Sequence, residues 1–386
     1  MEASLNKKII ISIALSFTLL IFSCRSEPSA PSKDINKISS RSSSVSFIAV
    51  GDNLFHDSVL RTSFNEATGE YDFSPIYTEV KSIVKKADLA FINQETVMAG
   101  ESFGYSGYPA FNSPQSIAHT HADTGFDIIN IANNHAMDKG TSGLISTLNF
   151  LDTIKEFTVI GARKEGKSAR IITKNNISFG FLSYTYGLNG IALPKDNPNL
   201  VSLIDKTVMT QEINELRPLC DFLIVSMHWG AEYLLEPDKS QIDLAQFITE
   251  LNVDLIIGHH PHVLQRADKL PRPDGKETYI FYSLGNFASH QRERERIIGG
   301  MMFLRFIKST KGETSIEDFG MIPLITHYNQ SFNDTKIYPL YAYTEELLAK
   351  HGLKNFGAGL SMDFFYGVTK RLNTKIIMHN PFENTK

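Results

Sequence analysis

The stretch richest in chemistry is Asp254-Leu255-Ile256-Ile257-Gly258-His259-His260-Pro261-His262. Its short apolar run reads as a fully buried strand, and it ends in three histidines within four positions. Neutral imidazole is the commonest metal ligand. His260 and His262 stand two apart, and in an extended segment that spacing puts both rings on one side. A single histidine would read as structural; this group points to a metal or catalytic site.

The same grammar recurs in four other runs. Val45 to Val50 leads to Gly51-Asp52, with His56 in the loop beyond. Asp88 to Asn93 leads to Glu95, and Asp127 to Ala132 leads to Asn133-Asn134-His135. Asp221 to Met227 leads to His228. These candidate buried strands all deliver metal-competent side chains at their C-terminal ends, which is where ligands bind in α/β sheets. A buried polar network that orders strand ends without metal is the other arrangement such residues make.

The elements that must position these groups are legible in part. Helices are predicted over Pro75 to Lys86, Thr141 to Lys155 (with Thr141 or Ser142 as N-cap), Gln211 to Arg217, Ser240 to Leu251 and Glu345 to Lys350. Val159 to Ala162 reads as a strand, and Ala169 to Tyr184 as a hairpin turning at Lys174-Asn175-Asn176. Tyr279 opens a strand that ends at Gly285-Asn286-Phe287; Gly299 to Ile307 and Thr314 to Leu324 read as a strand pair. Two long segments, Met98 to Ser113 and Tyr186 to Pro198, are loops, the first rich in aromatics. Trp229, the only tryptophan, either shapes the pocket wall or packs in the core. Alternating β and α followed by mostly β predicts a layered α/β domain with a mixed central sheet.

The 386 residues carry a net charge of −4, and no basic stripe prepares a track for nucleic acid. The two cysteines, Cys24 and Cys220, form no zinc-finger or CxxC spacing. Lys7 and Lys8 precede an apolar run, Ile9 to Phe22, which has the form of a signal peptide over residues 1–23. A Cys directly after such a run, at Leu20-Ile21-Phe22-Ser23-Cys24, resembles a bacterial lipoprotein signal, in which the Cys is exposed and acylated. An uncleaved anchor or a secreted protein with a chance Cys are the plainer alternatives. Residues 24–44, rich in Ser, read as a flexible tether. The predicted domain runs from 45 to 325, and residues 326–386 are expected as a C-terminal extension packed on it.

Six motifs in order carry a family resemblance: Gly51-Asp52, Asn93-Gln94-Glu95, Asn133-Asn134-His135-Ala136-Met137-Asp138, His228-Trp229-Gly230-Ala231-Glu232, Gly258-His259-His260-Pro261-His262 and Ser283-Leu284-Gly285-Asn286-Phe287. Together they resemble the CapA family of poly-gamma-glutamate capsule synthesis proteins. That family is similar in turn to the calcineurin-like metallophosphoesterases. The resemblance implies a four-layer α/β/β/α sandwich of the metallo-dependent phosphatase type, with two divalent ions (Mn, Fe or Zn) at its strand ends.

Carried over residue by residue, the resemblance makes Asp52, Glu95, Asn134, His228, His260 and His262 metal ligands. It makes His135 the acid that protonates a leaving group, oriented by Asp138. Leu54 stands where the superfamily places a His in its first motif, and His56, two residues on, is the candidate substitute ligand. Asn93, Trp229, Glu232 and Asn286 are expected to contact substrate, and His259 to be structural.

The donor types agree with this independently, since mixed Asp, Glu, Asn and His suit borderline divalent ions. The expectation is a di-metal hydrolase of the cell envelope, lipid-anchored outside the cytoplasmic membrane or in the outer membrane. Its substrate would be a phosphoester or an envelope polymer, its partners capsule-synthesis membrane proteins. The competing expectation is a non-catalytic scaffold that binds polymer or partner proteins.

Overall fold

The computed structural model describes residues 42–166, 169–357 and 359–383. The expected leader, Cys24 and nearly all of the tether lie outside them. The first strand, Ser43–Asn53, takes in the last two residues assigned to the tether.

Each buried run splits its side chains between two faces, as a strand must. Ile48 and Val50 enter one apolar cluster while Val45, Phe47 and Ala49 enter another. Leu223, Val225 and Met227 point away from Phe222 and Ile224 in the same manner. Strands apolar on both faces need cover on both faces. The result is three apolar layers between four layers of structure. Helices Ser74–Val84, Ser116–Thr124 and Gly140–Leu151 cover the outside of a first sheet, and the two sheets face each other. Helices Lys206–Leu216 and Lys239–Glu250 cover the outside of the second. The mixed central sheet expected from the order of elements is thus two mixed sheets, and they make the α/β/β/α sandwich that the family resemblance implied.

The first sheet has nine strands. Ser43–Asn53, Leu89–Gln94, Ile128–Asn130 and Thr158–Ile160 run parallel, and Ile298–Lys308, Thr314–His327 and Lys336–Pro339 continue it antiparallel. The second has six, with Ile177–Thr185, Phe222–His228, Leu255–His259 and Glu277–Phe281 parallel at its centre. The ligand-bearing strands are divided between the sheets.

The aspartates that open four of the runs have a common task. Asp88, Asp127, Asp221 and Asp254 each accept a backbone N–H of the neighbouring strand, from Ser46, Ala90, Ser178 and Leu223, at 2.7–2.8 Å. They set strand register at the end opposite the site. A one-residue slip would send every side chain to the other face.

Helix starts follow local chemistry. Asp205 caps Lys206–Leu216 from the N–H groups of Thr207 and Val208, and Asp238 with Gln241 forms a capping box on Lys239–Glu250. The helix after the Asn-Asn-His motif starts at Gly140 with Lys139 as N-cap and no side-chain cap, so Thr141 and Ser142 lie inside it. The hairpin turns at Asn175 and Asn176, both at positive φ (49° and 62°), as a two-residue turn between twisted strands requires.

Beyond residue 325, Lys336–Pro339 and Lys375–Ile376 pair with Thr314–His327. Helices Glu345–Lys350 and Met362–Thr369 place Leu348, Phe365 and Val368 in the layer between the sheets.

Candidate metal centre

The C-terminal ends of the parallel strands from both sheets meet at one edge, and the candidate ligands collect there. Asp52, Glu95 and Asn134 arrive from the first sheet; His228, His260 and His262 arrive from the second. Nδ1 of His262 lies 3.1 Å from Oδ2 of Asp52, and its Nε2 lies 3.7 Å from Oε1 of Glu95. Nε2 of His228 lies 3.6 Å from the same Glu95 oxygen and 2.8 Å from Oδ1 of Asn134. Donor atoms of Glu95, His260 and His262 all fall within 4.8 Å of one another.

Backbone geometry makes the convergence possible. His260 and His262 are not extended: both have positive φ, 97° and 58°. Each such non-glycine residue costs roughly 1–3 kcal/mol. The chain thus coils around Pro261 to aim the rings, where a straight strand would only have aligned them. Gly258 lets the turn sit against the next strand, because a Cβ there would stand 1.9 Å from the carbonyl oxygen of Tyr282.

Polar partners fix the ligands. Asn93 donates to Oδ1 of Asp52 (2.8 Å), Asn130 donates to Asn93 (2.8 Å), and Ser183 donates to Asn130 (2.6 Å). The oxygen of Asn286 lies 3.0 Å from Nδ1 of His262, and its amide nitrogen donates to three acceptors, including the His262 carbonyl. Both side chains are fully buried with their hydrogen bonding spent inside the protein. Asn93 and Asn286 therefore position the candidate ligands Asp52 and His262, where substrate contact was expected of them. Trp229 is 1% exposed, donates to the carbonyl of Tyr282 (3.0 Å), and packs between the second sheet and its helices. It is a core residue. Its neighbour His228 takes the site face, and adjacent residues of a strand face opposite ways.

The charges favour a cation. Glu95 is 0% exposed, and neither of its oxygens has a hydrogen-bond partner. A buried carboxylate left this way costs several kcal/mol without compensation. Burial and then the charge of Asp52 push its carboxyl well above the ordinary range. Burial also raises Asp52, but His259 and His262 outweigh it and hold that carboxyl well below its usual value. Burial would lower His262, yet Glu95 and Asp52 raise it to about 9. Burial and the charge of His262 move His260 down to about 4. A dication in the pocket reverses this logic, holding Glu95 ionised and His262 neutral. The donors present fit such an ion.

Other expected residues fall around this group. His135 gives Nδ1 to Oδ2 of Asp138 at 2.8 Å, and Asp138 also accepts the N–H of Phe111 (2.8 Å). Glu232 lines the cavity that opens onto His135, together with Asn134 and Asp138. His259 stacks on Phe91 and lies 3.4 Å from Asp52. His56 packs edge-on against Phe111, its buried Nδ1 without a partner.

Two further residues emerge only from the structure. Asn189 reaches Asn134 at 3.2 Å and His135 at 3.3 Å, and Tyr186 lays its ring over His260 with centroids 4.6 Å apart. Both sit in the loop after Ile177–Thr185, a strand whose end bears no candidate ligand to flag it.

Four layers with carboxylates and imidazoles gathered at the strand ends make an α/β/β/α sandwich with a candidate metal centre at one edge. Residues 46–291 match the family model described as bacterial capsule synthesis protein PGA_cap, and the chain belongs to that family. It is 33% identical over 176 residues to the PGA biosynthesis protein CapA of Bacillus subtilis (strain 168), a match covering 44% of each chain. It is 34% identical over 182 residues to the capsule biosynthesis protein CapA of Bacillus anthracis, covering 44% of this chain and 41% of that one. The match thus spans less than half the length of these relatives. Among solved structures, a 5'-nucleotidase precursor from Thermus thermophilus aligns with a TM-score of 0.45 and 15% identity, covering 73% of this chain and 54% of that one. The calcineurin-like phosphoesterase YfkN from Bacillus subtilis gives a TM-score of 0.41 at 15% identity, covering 72% and 91%. These overlays are loose, and the layer order rests on the core packing given above.

Proposed function

We propose that this protein is a metal-dependent hydrolase of the cell envelope, acting on a phosphoester or related bond in the synthesis or export of a capsule polymer of the poly-gamma-glutamate type. The observation that carries the reading is Glu95: fully buried, both oxygens without partners, and grouped with His260 and His262.

Asp52, Glu95, Asn134, His228, His260 and His262 would hold one or two divalent ions, with His56 as a further candidate. Such ions lower the pKa of a bound water and offset charge on the reacting phosphoryl group. The protein's own residues do the rest. Asp138 fixes the proton of His135 on Nδ1 or shares it there, which presents Nε2 to the cavity. With Nδ1–H held by Asp138, the proton that passes to the departing oxygen is the Nε2–H of the imidazolium form, leaving a neutral ring, a contribution of typically ~10²–10⁴-fold. Asn93 and Asn286 keep the ligands aimed.

The test is elemental analysis of the chain from residue 25 onward, beside a His260→Ala/His262→Ala variant. Roughly one to two equivalents of Mn, Fe or Zn are expected, lost in the variant, followed by activity in a phosphoester screen. Protein that stays metal-free after reconstitution would leave the scaffold reading in its place. Tethering through an acylated Cys24 belongs to the same proposal, as does work alongside capsule-synthesis membrane proteins. Cys24→Ser should move the protein from the membrane fraction to the soluble one, and unchanged partitioning would remove the lipid anchor.

A further inference from the structure

The cavity in front of His135 has a chemistry of its own. It encloses about 370 Å³, with Asn134, His135 and Asp138 on one side and the turn Tyr108 to Ala110, Asn189, Ile191 and Glu232 on the others. The turn is tied down from two directions. Asp57 accepts the N–H of Gly107 (2.6 Å), and Asp138 accepts that of Phe111. Tyr108 nevertheless leaves 72% of its surface open. The ring of Phe111 meets His135 edge-on at 4.7 Å, so the loop and the proton donor share one packing unit.

Among the described residues, no lysine or arginine lines this space. The guanidinium of Arg296 lies over the ring of Tyr233 at 3.4 Å and pairs with Glu293 at 2.9 Å, so it is committed elsewhere. What the cavity offers is an exposed carboxylate, two amides, and the apolar surfaces of Tyr108 and Ile191. A carboxylate accepts from hydroxyl or ammonium groups, and an aromatic face carries the apolar side of a sugar or a short alcohol. An anionic group would meet the carboxylate of Glu232 directly, with no lysine or arginine among the lining residues to offset it.

We infer that this cavity receives the leaving group and selects an uncharged or cationic alcohol over an anionic one. The inference rests on the hydrolase reading proposed above. It narrows that reading: the group released at His135 is a sugar-like or amino-alcohol unit, and the polyanionic stretch of a polymer is excluded from this side of the bond.

Three phosphomonoesters of similar size test it: phosphoethanolamine, glycerol 1-phosphate and 3-phosphoglycerate. They are given to the full chain, held in detergent micelles and loaded with Mn²⁺. Phosphate release provides kcat/KM, and calorimetry provides Kd, using metal-loaded His135→Gln wherever the wild type turns over. The ethanolamine and glycerol esters should exceed the glycerate ester by about tenfold in kcat/KM. Glu232→Gln should narrow that ratio, and Glu232→Lys, a change at an exposed position, should reverse it. Equal or better use of the glycerate ester by the wild type overturns the inference, as does a ratio that Glu232→Lys leaves unmoved. If no ester is turned over but the Kd order holds, the hydrolase reading fails and the cavity's selectivity stands. Neither turnover nor binding at millimolar concentrations overturns both.

Discussion

The amide oxygen of Asn286 stands 3.0 Å from Nδ1 of His262, and the opposite nitrogen of that ring stands 3.7 Å from Glu95. Asn286 thus holds the Nδ1–H and leaves the lone pair of Nε2 for a metal. Ligating histidines depend on such partners, and losing one typically costs about 10- to 100-fold in metal affinity. Asn286→Ala should show that loss in a chelator competition. Unchanged affinity would mean that the ring is aimed by its backbone alone.

Glu95 sets function against stability. In the metal-free protein it is a buried carboxyl with unpartnered oxygens, so the neutral isostere should be no worse there. Glu95→Gln is expected to melt at or above the temperature of the metal-free wild type. Added metal should stabilise the wild type by about 2.7 kcal/mol at a hundred times Kd and should leave the variant unmoved. A variant that still gains stability from metal would remove Glu95 from the ligand set.

On the proposed hydrolase reading, Asp138 acts through His135. Asp138→Asn should leave metal content intact while lowering kcat on any substrate by about 10²–10⁴-fold, because the amide no longer holds the imidazole in one tautomer. The pH–rate profile is the readout that a merely structural role would leave unmoved: the limb belonging to His135 should shift or vanish. Full activity in this variant would take the acid role away from His135.

A second histidine group predicts acid lability. His290, His327 and His351 are buried around Tyr328 and Tyr343. Burial lowers them to about 3, 4 and 4 respectively, each from an ordinary value of 6.5. Below pH 6.5 the unfolded chain therefore binds more protons than the folded one, and stability falls as pH drops toward 4. Urea midpoints should decline through that window and decline less in His327→Gln. A flat profile between pH 6.5 and 4 would contradict the burial argument.

The sequence made the strand ends legible for a physical reason. Runs such as Phe222 to Met227 are apolar on both faces and can only be buried strands, so whatever follows them sits at a sheet edge. Which sheet a run joins is not written in the run, and so two sheets look like one. The helix Ser116–Thr124 escapes a reading by pattern because two histidines and an aspartate blur its apolar stripe. The candidate ligands stand out by residue type and by family motif. Asn93, Asn286 and Trp229 differ from expectation because chain proximity to a ligand does not say which face a side chain takes. Asn93 makes sense only when the register that pairs it with Asp52 on one side and Asn130 on the other is known.

The division of the ligands between the sheets has a consequence for assembly. Neither sheet holds a complete set: one brings oxygen donors, the other imidazoles. An ion seated among them would be a rivet through both plates, bound only after they have docked at the right offset. Metal occupancy would therefore be a quality mark on the folded chain, because a protein whose halves have folded but slipped past one another would carry every candidate ligand and still be unable to gather them.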